Sequence, residues 1–267
     1  MRHGFFNQFL MEIKRSLLTY GFWCTIILVP FICILSNSDP ITQLLNSGVK
    51  SASNYSVIYL FNYTTTDGWF INLIFIIAML PAGLMYYFDK REGFNTYTII
   101  RNNVSQYGKA MFASIITITW FSIFTGLILL VGILCTIFPI SNAADMIWEP
   151  YNVVVTSGHP LLFFLIKSSI LSSLCATFVA CAVILSTLLS DCFVLMISPF
   201  LIYYFADIVT SKVNERFSVS SFTQASINLG TVTSSFIATH LILLIIIIFL
   251  GIIFVSQVER NVEHADI

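Results

Sequence analysis

Residues 89–109, DKREGFNTYTIIRNNVSQYGK, hold Lys90, Arg91, Arg101 and Lys109, four of the twelve lysines and arginines in a chain of 267 residues. An apolar run lies on either side, at 69–88 and 110–138. A charged segment between two such runs has to sit in water. The runs therefore read as membrane spans, and the segment as the loop joining them on one side of the bilayer.

Composition supports this reading. Hydrophobic residues make up 57% of the chain and charged residues 9%, whereas soluble domains carry about 25% charged residues. A chain so poor in charge cannot cover a globule with polar surface, so a soluble protein is excluded. The net charge of −1 says little about partners, because the distribution of charge matters more than its sum. No nucleic-acid partner is expected.

Six apolar runs approach the length of about 20 residues that a span needs: 17–35, 69–88, 110–138, 161–189, 192–209 and 236–256. The fifth is the shortest and contains Pro199. Only Ser190 and Asp191 separate it from the fourth, and if the two were one kinked helix the C-terminus would change sides. Before the first run, residues 4–19 place Phe5, Phe6, Phe9, Leu10, Ile13 and Leu17 on one helical face. Asn7, Gln8, Glu12, Lys14 and Arg15 take the other. This is the pattern of an amphipathic helix lying in the membrane interface, with no signal-peptide cleavage pattern evident. The expected fold is all-α: one polytopic transmembrane domain over 1–267, with six spans preceded by an interfacial helix.

Basic residues orient the chain. Arg2, Lys14 and Arg15 precede the first span and four more occupy 89–109, while 36–68 has only Lys50, 139–160 has none, and 210–235 has Lys212 and Arg216. The positive-inside rule then puts the N-terminus, the 89–109 segment and the C-terminus in the cytoplasm. The outer segments are polar and rich in tyrosine and tryptophan, and Asn54 and Asn62 begin glycosylation-like triplets.

Few residues suggest chemistry. HExxH and GxSxG patterns are absent, as are paired carboxylates within a span. A Walker A pattern is absent too: Lys109 is followed by Ala110, and no glycine stands five residues before Gly108. No catalytic, metal-ligating or cofactor-binding residue is expected. The six cysteines lie in or at the ends of apolar runs, which favours buried hydrophobes over ligands. Lys167 lies about two turns into the fourth run, making it a candidate intramembrane polar site. Asp207, His159 and His240 sit near span ends, where interfacial packing explains them. Pro81 and Gly83 combine a missing backbone donor with a flexible residue and form a candidate hinge in the second run.

The order of these features resembles the membrane subunit of a type 2 ABC exporter. Arg91, Glu92 and Gly93 open the charged segment, Asn103, Val104, Ser105 and Gln106 follow, and Gly108 and Lys109 lead into the third span. In that family an acidic residue and a glycine begin a coupling helix, a Pro-Val-Ser-Arg-like turn follows, and Gly-Lys opens the next span. The likeness covers the whole chain in layout and about 90–110 in residues. Asn103 stands where the family often has proline, and Gln106 where it often has arginine. The resemblance implies ABC ATPase partners carrying the ATP and magnesium. It also implies a second permease, identical or related, and a pathway for a hydrophobic or amphipathic cargo such as a peptide, a drug or a lipid-like molecule. ATPase docking would fall to Glu92, Gly93, Phe94, Tyr97, Ile100, Arg101 and Lys109, in a multi-pass protein of a bacterial plasma membrane. The alternatives are a secondary transporter or channel, and a non-transporting immunity or assembly protein.

Overall fold

The computed structural model describes residues 5–38, 42, 56–66, 69–93, 103–140, 147, 150–214 and 218–265. All regular structure among them is helical: α1 (Phe5–Leu17), α2 (Tyr20–Ser36), α3 (Val57–Thr66), α4 (Phe70–Ile77), α5 (Met85–Arg91), α6 (Val104–Ile137), α7 (Asn152–Thr156), α8 (Pro160–Ser186), α9 (Cys192–Val213), α10 (Val219–Gln224) and α11 (Val232–Ala265). Helices α6, α8, α9 and α11 are each long and apolar enough to cross a membrane, and α1 with α2 is a fifth candidate if that bent pair counts as one span. Large apolar side chains lie exposed along them, among them Ile27, Phe31, Phe205, Ile245, Phe249 and Ile252. So much exposed apolar surface fits lipid and not water. The chain is a multi-pass membrane protein.

Helices α6 and α8 form the centre. The first packs against α1, α2, α8 and α11; the second packs against α4, α6, α9 and α11. On α8, Ser168, Ser172, Ser173, Ala176, Ala180 and Ala182 are buried, and small side chains of this kind let neighbouring helices approach closely. Ser172 turns its hydroxyl back on the helix, donating to Ser168 O at 2.7 Å, while Ser173 Oγ accepts from Trp120 Nε1 of α6 at 3.1 Å.

The uncertain boundary between the fourth and fifth runs is sharp. Helix α8 ends at Thr187, and Asp191 caps α9 by accepting from the N–H groups of Phe193 at 2.8 Å and Val194 at 3.3 Å. Pro199 does not break α9: the carbonyl it frees, Leu195 O, receives the Ser198 hydroxyl at 2.8 Å.

Two apolar runs differ from expectation. The run at 17–35 is helical only from Tyr20, bent by 59° from α1. The bend is closed by Thr19 Oγ1 and Trp23 Nε1, which donate to Ser16 O and Leu17 O at 2.6 and 3.1 Å. The run at 69–88 is not one helix. Its first part is α4, its last part belongs to α5, and 78–84 forms tight turns with i→i−3 bonds such as Leu80 N–H to Ile77 O at 3.0 Å. Pro81 cannot donate to Ile77 O, so the regular ladder stops there. The irregular stretch presses on α2, where a Cβ on Gly21 would stand 2.1 Å from Leu80 O.

The interfacial helix also differs in one respect. Its polar stripe of Gln8, Glu12 and Ser16 is buried in the protein, while Phe5, Phe6, Leu10 and Met11 face outward. Beside a bilayer the outer surroundings are apolar, so the polar face finds its partners inside.

Candidate functional site at the ends of the 89–109 segment

The segment's first residue is held in the bundle. Asp89, in the last turn of α5, is 5% exposed. Arg15 Nη2, from α1, lies 2.9 Å from each carboxylate oxygen, and the Tyr107 hydroxyl, from α6, donates to Oδ2 at 3.3 Å. Arg15 Nε also stands 3.5 Å from Glu12 Oε2. Ser16 Oγ lies 2.9 Å from Glu12 O and 2.8 Å from Met85 Sδ, joining α1 to α5 a second time.

The next turn reaches the opposite neighbour. Lys90 Nζ donates to Thr187 O at 2.7 Å and Tyr87 Oη to Ser190 O at 3.1 Å. Asn261 Nδ2 of α11 donates to the same Thr187 O at 3.1 Å. The start of the segment is thus tied to α1, to the end of α8 and, through Tyr107, to its own far end on α6, while α11 meets the same Thr187 carbonyl. The partners are far apart in sequence, so the ties fix tertiary geometry and not one helix alone.

Two carboxylates share one guanidinium here. Burial pushes Glu12 above its ordinary value, helped by Asp89 and opposed by Arg15. Burial likewise pushes Asp89 up, against the Arg15 and Tyr107 hydrogen bonds that pull it down. For Arg15 burial acts downward, and the Asp89 hydrogen bond and both carboxylate charges outweigh it. Among the described residues, the side-chain polar atoms of Gln8 and Glu12 have no hydrogen-bond partner, although the two are 2% and 0% exposed. Such atoms forgo hydration without recovering it.

The residues singled out for docking fall into two groups. Phe94, Tyr97, Ile100 and Arg101 lie outside the described residues. Glu92 is exposed and its N–H donates to Phe88 O at 2.9 Å, while Gly93 has φ +70°. The pair therefore closes α5 with a left-handed glycine, where the resemblance has it open a helix. Asn103, the departure from proline, is the N-cap of α6 and accepts from Ser105 N–H at 3.0 Å. Lys109 is exposed. Pro81 and Gly83 sit in the break between α4 and α5, and Gly83 is crowded: a Cβ would meet Met79 Sδ at 2.6 Å and Met79 O at 3.0 Å.

Lys167 lies at the far end of the bundle and is 1% exposed. Its ammonium donates to Asn62 Oδ1 and, at 2.7 Å, to Thr66 Oγ1 of α3. Asn62, the start of one glycosylation-like triplet, is therefore committed to the interior at 8% exposure; Asn54, the start of the other, lies outside the described residues. The Asp207 carboxylate accepts from Ser220 N–H at 2.7 Å at the start of α10. His240 Nδ1 lies 3.0 Å from Phe236 O and Nε2 lies 2.8 Å from Ser169 Oγ. A carbonyl only accepts, so the ring carries its proton on Nδ1 and takes the serine proton at Nε2.

Sequence reasoning missed the grouping of Gln8, Glu12, Arg15, Asp89 and Tyr107. Gln8, Glu12 and Arg15 stood on the polar face of the first helix, but the partner of Arg15 is 74 residues away. Comparison with family models, curated proteins and solved structures found no match to the chain.

Proposed function

We propose that this chain is the membrane-spanning subunit of an ATP-driven exporter of the type 2 ABC kind, in a bacterial plasma membrane. One observation carries the reading: the start of the 89–109 segment is bonded at once to α1 and to the end of α8, through Asp89–Arg15 and Lys90–Thr187, and to the segment's own far end on α6 through Asp89–Tyr107. A force applied to that segment reaches several spans together, as a drive point requires.

Two ATPase subunits, holding ATP and magnesium, would grip the segment in surface grooves beneath two permeases, identical or related. Their closure would shift α5 and α6, with the break around Pro81 and Gly83 as the hinge, and so alter access for a hydrophobic or amphipathic cargo. Such coupling works only if the grip differs in free energy between nucleotide states. Six passes with both termini in the cytoplasm fit this arrangement, α1 being the interfacial helix and α4–α5 the broken second pass.

The test is a double variant, Glu92→Arg with Tyr97→Ala, in the full chain co-expressed with a candidate ATPase. Loss of co-purification and of stimulated ATPase activity is expected; retention of both overturns the reading. A second reading, a secondary transporter, rests on the buried Lys167 ammonium. Uptake driven by an ion gradient alone, and abolished in Lys167→Met, would favour it.

A further inference from the structure

A groove of about 580 Å³ runs between the start of α6 and the end of α11, beside the first residue of α1. Its floor is apolar, formed by the buried Phe112 and Val255, with the exposed Ile248 and Ile252 along its lip. Its mouth carries Lys109 from one wall and Glu259 from the other, with Ser105 and Ser256 beside them. From Ile248 to Glu259 the groove follows α11 for about 16 Å. Phe5 lines the opening, and its neighbours Phe6, Leu10 and Met11 face outward, so the mouth lies at the level where α1 meets the interface.

The two charges decide the occupant. Among the described residues, neither Lys109 nor Glu259 has an ion-pair partner. A slot with an apolar floor at this depth takes an acyl chain. A rim with one cation and one anion on opposite walls matches a headgroup that itself carries one anion and one cation. We infer that the groove is a site for one molecule of phosphatidylethanolamine from the leaflet on the side of the 89–109 segment. Its phosphate lies by Lys109 and Ser105, and its primary ammonium by Glu259 and Ser256. A quaternary ammonium has no proton to give the carboxylate, and a purely anionic headgroup would meet Glu259 as a like charge. This site does not depend on the exporter reading, since it uses neither an ATPase nor a cargo.

The experiment is native mass spectrometry of the purified full chain, delipidated and offered phosphatidylethanolamine, phosphatidylglycerol and phosphatidylcholine of matched acyl chains. One retained phosphatidylethanolamine is expected, favoured about fivefold over phosphatidylglycerol, the size of one interfacial charge contact. Glu259→Lys makes the rim dicationic and should invert that order without altering the melting temperature. Ile252→Trp, at a lipid-facing position, fills the groove and should lower retention of all three lipids without reordering them. Equal retention of the three lipids, or an unchanged order in Glu259→Lys, overturns the proposal. So does a dimer that Ile252→Trp dissociates with no change in lipid, which would assign the groove to a second copy of the chain.

Discussion

At Arg15, one guanidinium balances two buried carboxylates, and the balance has a sign in pH. Burial raises both Glu12 and Asp89 above their ordinary values, so the folded state binds protons more tightly than the unfolded chain. Their favourable contribution is complete below the unfolded carboxylate range and is lost as pH rises through the raised values. The melting temperature of the purified protein should therefore decline as pH rises from the unfolded carboxylate range, about 4, through the raised values, and level off above them. Glu12→Gln removes one buried charge that lacks hydrogen bonds, and should flatten that decline and leave stability at neutral pH unchanged or higher by about 1 kcal/mol. Asp89→Asn leaves Arg15 without its bidentate acceptor. The half-exposed guanidinium limits the damage to about 1–3 kcal/mol. A wild-type melting temperature that rises with pH would refute this account of the cluster. The charges themselves were legible in sequence, but their pairing was not, since nothing local relates position 15 to position 89. Lys167 was legible as an unusual buried cation. Its acceptors, Asn62 and Thr66, were hidden in a stretch whose polarity read as an outer loop.

Hydrophobic length carried most of the information about elements. The runs at 110–138, 161–189, 192–209 and 236–256 became α6, α8, α9 and α11, each with helix added or trimmed at its polar ends. The 69–88 run misled, because hydropathy counts side chains whereas the ladder depends on backbone donors. Pro81 removes one of these, and the turns at 78–84 then leave Leu80 O free to press on α2. Gly21 is the matching half of that contact. Gly21→Ala would force Cβ into the Leu80 carbonyl, which is backbone and cannot swing aside, so a loss of about 3 kcal/mol is expected. Gly132 on α6 makes the comparison fair: a Cβ there meets nothing within 4 Å. Gly132→Ala should be neutral or stabilising by about 0.5–1 kcal/mol. Thermal melts of both variants in one detergent give the answer, and equal effects at the two positions would contradict the close approach at Gly21.

At the scale of the whole molecule, the hydrogen bonds sort helix ends into two groups. Arg15, Asp89, Lys90, Tyr107, Thr187 and Asn261 belong to one. Asn37 with Thr64, Lys167 with Asn62, and Asp207 with Ser220 belong to the other. The chain runs from group to group along α2, α4–α5, α6, α8, α9 and α11, of which α6, α8, α9 and α11 are each long and apolar enough to cross a membrane. Five of the six are helices of at least 17 residues. The doubtful one is α4–α5, whose broken ladder would suit a re-entrant loop as well as a crossing. Three single cysteines separate the cases. Ser38, Arg91 and Ser157 are exposed, and they follow α2, α5 and α7 respectively. If α4–α5 crosses, a membrane-impermeant thiol reagent should label Ser38→Cys and Ser157→Cys from outside intact cells and Arg91→Cys only after the membrane is opened. Cys33 and Cys175 are buried, Cys181 and Cys192 are partly exposed, and the exposed Cys24 and Cys135 lie on the apolar helices α2 and α6, so each variant is read against the labelling of the parent chain. Labelling of Ser38→Cys and Arg91→Cys from the same side would make α4–α5 re-entrant. The segment it carries would then lose the cytoplasmic position on which its role as a drive point depends.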